Sequence, residues 1–144
     1  MEGFEKGNSP FDFMGDDIKD KALAITTTNG TQAIHASLTA DHIYIGAFVN
    51  LQAVANRLVE EQKDTIILCA GWKNKFNLED TLFAGALADI LYQSGFEVND
   101  DASIAARVLY ASAKDNLGMF IKQSAHAQRF ERMVIERYID FCMQ

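Results

Sequence analysis

The sequence predicts an α/β fold, a three-layer α/β/α sandwich around a mostly parallel sheet with a mainly helical C-terminal part, and three observations predict it. Short apolar or alternating runs occur at 22–26, 42–46 and 65–69, each followed by a segment with helical spacing. Strands that alternate with helices over such short intervals form βαβ units, whose parallel neighbours are joined by right-handed crossovers. Composition is the third: 144 residues that are 49% hydrophobic supply one globular domain with a real core, not an extended disordered chain.

Taken in order, residues 1–21 are polar and punctuated by Gly3, Gly7, Pro10 and Gly15, with no sustained period, and read as a loop. Residues 22–26 form a short strand, and 27–30 a polar turn with Asn29 and Gly30 at its sharpest point. A short helix over 31–38 shares one face among Ala33, Ile34, Ser37 and Leu38, and the alternation at 42–46 gives the next strand. Asn50 caps an amphipathic helix with Leu51, Val54, Ala55, Leu58 and Val59 inward. Residues 65–69 are nearly continuously apolar, as expected of a parallel strand covered on both faces.

The run breaks at Ala70 and Gly71, and from Leu78 the apolar positions Leu82, Phe83, Ala86, Leu87, Ile90 and Leu91 line one side of a helix. Asn77 is a good N-cap, its side chain able to accept from the Asp80 amide, and Gly95 is placed to end the helix in the left-handed conformation. Asp100 or Asp101 then caps a helix over 102–114 with Ile104, Ala105, Val108 and Leu109 inward. A looser segment covers 116–128, and Phe130, Met133, Val134, Tyr138 and Phe141 mark a last helix. No repeat, low-complexity tract or linker divides this single domain over 1–144.

A net charge of −7 argues against non-specific nucleic-acid binding, which depends on clustered Lys and Arg. It leaves room for a small anionic ligand, because a local nest of amides attracts an anion within an acidic protein. Two cysteines, Cys69 and Cys142, imply no disulfide framework and fit a reducing cytoplasm. No run approaches the roughly 18 apolar residues of a membrane span, and the N-terminus lacks a signal peptide's basic and apolar regions.

Ligands of open α/β sheets bind beyond the carboxyl ends of strands, which makes the loop 70–76 the first candidate for chemistry. Thr27, Thr28, Asn29, Gly30 and Thr31 sit between a predicted strand and helix, where amides and the helix dipole favour a phosphate or sulfonate. The same residues are equally a turn with a threonine N-cap. Glu79 and Asp80 complement the dipole of the central helix, and they are also the hard oxygen ligands a magnesium site wants. If both groups lie beyond strand ends they open onto one sheet edge and share a cleft, with a divalent cation between phosphate and carboxylates. Cys69 invites comparison with cysteine phosphatases, but the residue six beyond it is Lys75, which lacks the bidentate fork of arginine, so a buried structural thiol is expected. Asn8 and Ser9 beside Pro10 form either a substrate-contacting loop or an ordinary turn. His35, His42 and His126 lack metal-ligand spacing, and Lys73 and Lys75 are solvated or raise local anion concentration.

Cys69-Ala70-Gly71, a short loop, then Phe76-Asn77-Leu78-Glu79-Asp80-Thr81 and Ala84-Gly85-Ala86-Leu87 resemble the 2-phosphosulfolactate phosphatase family, magnesium-dependent phosphatases associated with coenzyme M biosynthesis. Gly7-Asn8-Ser9-Pro10 and Thr27-Thr28-Asn29-Gly30-Thr31 match two further motifs of that family in the expected order. The resemblance implies a cytoplasmic phosphatase that hydrolyses a small anionic phosphate ester with Mg2+. It implies catalytic and metal roles for Glu79 and Asp80, and substrate binding by Asn8, Ser9, Thr28, Asn29, Gly30, Thr31 and Gly71. Two departures stand beside it: no early strand bearing an aspartate and an arginine precedes Gly7, and the segment 138–142 stops short. The chain is therefore expected to be the central and C-terminal portion of a longer fold. The second reading is a non-catalytic binding or assembly domain, self-associating as a homo-oligomer through the edge that a missing strand exposes.

Overall fold

Asn77 starts the element on which the rest leans. In the computed structural model, which describes residues 5–7, 9–124, 137, 141 and 142, its Oδ1 accepts from the amides of Glu79 and Asp80 at 2.9 and 3.2 Å. The elements are α1 (Thr28–Ala36), α2 (Leu51–Glu61), α3 (Leu78–Gln93), α4 (Asp101–Ala113) and α5 (Leu117–Ile121), with 3-10 turns between them. Helix α3 stops as its sequence dictates: Gly95 takes φ +94° and the Phe96 amide returns to the Leu91 carbonyl at 3.0 Å.

The middle of α3 is buried on more sides than the single predicted stripe, with Leu82, Ala84, Gly85, Ala86, Leu87, Ala88 and Leu91 all inside. Two neighbours cause this, α2 and α4. Against α2, Leu87 and Leu91 pack with Ala55 and Leu58, flanked by Val54, Val59, Ile67 and Phe96. On a second face, Leu82 meets Ala113 and Ile121, flanked by Leu109, Leu117 and Phe120. Each fully buried leucine contributes about 1.5–3 kcal/mol relative to exposure.

Helix α4 presents a different face from the expected one. Ile104, Ala105 and Val108 are exposed, while Ala106 and Ala113 are buried and Leu109 is partly so. The reason lies across the contact, where Gly85 lets the Ala106 backbone approach so closely that a Cβ at Gly85 would run into the Ala106 carbonyl. Small residues therefore define the seam. Arg107 clamps its edge, reaching Asp89 at 2.9 Å while its guanidinium lies 3.9 Å from the centre of the Tyr92 ring. Asp100 is the cap, accepting from the Ser103 amide at 2.9 Å.

The expected α/β sandwich is not what the chain forms, because no strand and no sheet exist among the described residues. Segments 22–26, 42–46 and 65–69 have no ladder, and Ile25, Ile45 and Ile66 are 63%, 65% and 92% exposed. Alternation prepares a chain for pairing but does not supply the neighbour whose N–H and C=O groups complete a ladder. The parallel crossovers and the shared sheet edge fall with the sheet. The β-type pairing found among the described residues is Trp72 with Lys75, inside one turn.

Side chains tether the second of these segments instead. Glu61 Oε1 accepts from the Tyr44 hydroxyl at 2.6 Å and lies 2.9 Å from Arg57 Nη2 and 3.0 Å from His42 Nδ1. Asn50 precedes α2 but turns its side chain back, accepting from the Ala47 amide at 2.7 Å and donating to the Ile45 carbonyl at 3.0 Å. Near the N-terminus, the Phe11 ring packs 5.3 Å from that of Phe141. The remaining residues of the expected last helix, Phe130, Met133, Val134 and Tyr138, lie outside the described residues, as does Asn8. Among the described residues no helix is long and apolar enough to cross a membrane.

Candidate functional site

The loop between Cys69 and Asn77 is shaped by three successive demands on the backbone. Lys73 and Asn74 both adopt positive φ, +52° and +57°, and the amides and carbonyls of Trp72 and Lys75 exchange two bonds of 3.1 Å. This is a type I′ turn, which demands positive φ at both central positions. Asparagine adopts that conformation readily, whereas lysine does so at a cost. Gly71 is also at positive φ, +67°, and a Cβ there would sit 2.7 Å from the Lys75 carbonyl oxygen. Glycine is required at that position twice over.

Two distant side chains grip this loop. From the first turn of α3, Asp80 Oδ2 accepts the Gly71 amide at 2.6 Å. From the first turn of α1, Asn29 Oδ1 accepts the Lys73 amide at a longer 3.4 Å, bridging 44 positions of sequence. The first turns of α1 and α3 thus each send a side chain to the same loop, with no sheet among the described residues to align them. Helix α1 begins at Thr28, three residues before the predicted start, so Thr28, Asn29, Gly30 and Thr31 are its first turn and not a turn before it. Thr31 Oγ1 accepts the Thr27 amide at 3.1 Å and lies 3.2 Å from Thr26 Oγ1. A side chain at Gly30 would meet Thr27 Oγ1 at 2.8 Å.

Glu79 goes elsewhere. Consecutive helical positions point about 100° apart, so adjacent carboxylates do not face the same neighbour. Glu79 Oε1 accepts the Ser124 hydroxyl at 2.6 Å, and Ser124 is only 5% exposed. Sequence reasoning missed Ser124, since a serine 45 positions from its partner leaves no local signal. Ser9 opens a 3-10 turn, Pro10–Phe13, where its carbonyl accepts the Asp12 amide at 3.0 Å. Its bond stays within that turn.

A shallow depression of about 350 Å³ lies beside the loop, lined by Cys69, Gly71, Lys75, Asn77 and Thr81 among others. Cys69 is exposed, not buried as expected, yet partial desolvation pushes its thiol above the ordinary value and the Asp80 carboxylate adds to the rise. A thiol kept protonated is a poor nucleophile. Lys73 Nζ lies 4.6 Å from the centre of the Trp72 ring. Among the described residues no group of three or more His, Cys, Asp or Glu side chains is arranged to hold a metal.

The 2-phosphosulpholactate phosphatase family model matches residues 1–144. Among similar proteins, one from Microcystis aeruginosa is 39% identical over 146 residues, one from Caldanaerobacter subterraneus 36% over 143, and one from Clostridium novyi 34% over 142. Each alignment covers 99% of this chain and 59–60% of the relative, and each relative is described as a probable 2-phosphosulfolactate phosphatase. The chain thus spans about three fifths of the length of these relatives. With the whole of its sequence matched, the chain belongs to the 2-phosphosulfolactate phosphatase family.

Proposed function

We propose that the chain serves a magnesium-dependent phosphatase acting on a small phosphorylated acid of the 2-phosphosulfolactate kind. The observation that carries this reading is the convergence of Asn29 and Asp80 on one loop, in a member of this family. The first turn of α1 would offer amides and the Thr28 hydroxyl to an anion, with Thr31 bonded to Thr27 and Thr26 beside them, and Lys73 and Lys75 would lend positive charge. Ser9 and Asn8 belong to the same motif set and would extend the substrate contacts.

Magnesium commonly takes one or two carboxylates and fills its remaining positions with waters and phosphate oxygens. In this reading Asp80 would hold it, while Glu79 is turned to Ser124. Bound magnesium would supply charge neutralisation and polarise a phosphoryl oxygen. This reading gives Cys69, whose thiol partial desolvation pushes up, no nucleophilic part. Hydrolysis of 2-phosphosulfolactate or a similar ester by the protein is expected to cease on adding EDTA and to survive thiol alkylation. Activity that resists EDTA and dies on alkylation would move the chemistry to Cys69.

The exposed apolar segments favour a second reading, a non-catalytic binding or assembly domain. Light scattering during titration with magnesium and phosphate separates the two, because a strict monomer that binds both counts against assembly.

A further inference from the structure

We draw no further inference here: the strongest candidate, the exposed apolar surface that Ile25, Ile45, Ile66 and Leu68 present on the extended segments 22–26, 42–46 and 65–69, carries none because nothing among the described residues shows what covers it.

Discussion

Helix α3 and the segment 65–69 both carry apolar runs, separated by the loop 70–77, and they meet opposite fates. Leu82 of the helix has no exposed surface, whereas Ile66 is 92% exposed. A helix satisfies its own backbone, so its apolar faces need only be covered, and α2 and α4 do so. An extended segment must find a neighbour for its backbone as well as for its side chains. Apolar character predicts burial only where the backbone is already satisfied.

The strongest way to probe this contrast is Leu82→Ala, which is expected to cost about 2–5 kcal/mol in urea unfolding, the range for a buried leucine whose site cannot collapse. A cost below about 1 kcal/mol would mean that α3 is not the core of the folded protein.

A weaker effect is expected where side chains, not a ladder, hold residues 42–46. The Glu61 carboxyl is held below the usual glutamate range, first by the Tyr44 hydroxyl and then by His42. A depressed folded value means that this stabilisation is complete above the unfolded-state pKa and fades as pH falls through the folded one. The protection of amides at 42–46, taken against the intrinsic exchange rate at each pH, is therefore expected to fall below about pH 4, ahead of that in α3, and Glu61→Gln is expected to remove that pH dependence. Simultaneous loosening of α3 and 42–46 would show that the tether has no separate existence.

The smallest effect is expected from Ile66→Ser, within about 0.5 kcal/mol as for other exposed positions. A loss comparable to that of Leu82→Ala would reverse the comparison and show that 65–69 is covered in the folded protein.

These differences explain which parts could be read from the sequence. Both ends of α3 were legible because Asn77 and Gly95 act on amides two to five residues away. The inward face of α4 was not, since it is chosen by Gly85 on another helix and not by the most apolar residues of α4 itself. Three candidate strands were misread because an apolar or alternating run is local and pairing is not. At the candidate site, the loop and the Glu79–Asp80 turn were visible as motifs. Their divergence towards Ser124 and Gly71 was not, because partners 45 and nine positions away write nothing into the neighbouring residues.

Gly85 has a consequence for motion. A Cβ there would collide with the Ala106 carbonyl and come within 2.8 Å of the Tyr110 Cβ, so the two helices meet as a keyed joint. Sliding one along the other by a residue would present Ala84 or Ala86 to that notch, and packed interfaces switch between discrete fits without creeping. Shear between α3 and α4 is thus blocked. Any rearrangement at the start of α3 has to come from hinging in the loop that precedes it, with the helix pair as its fixed base.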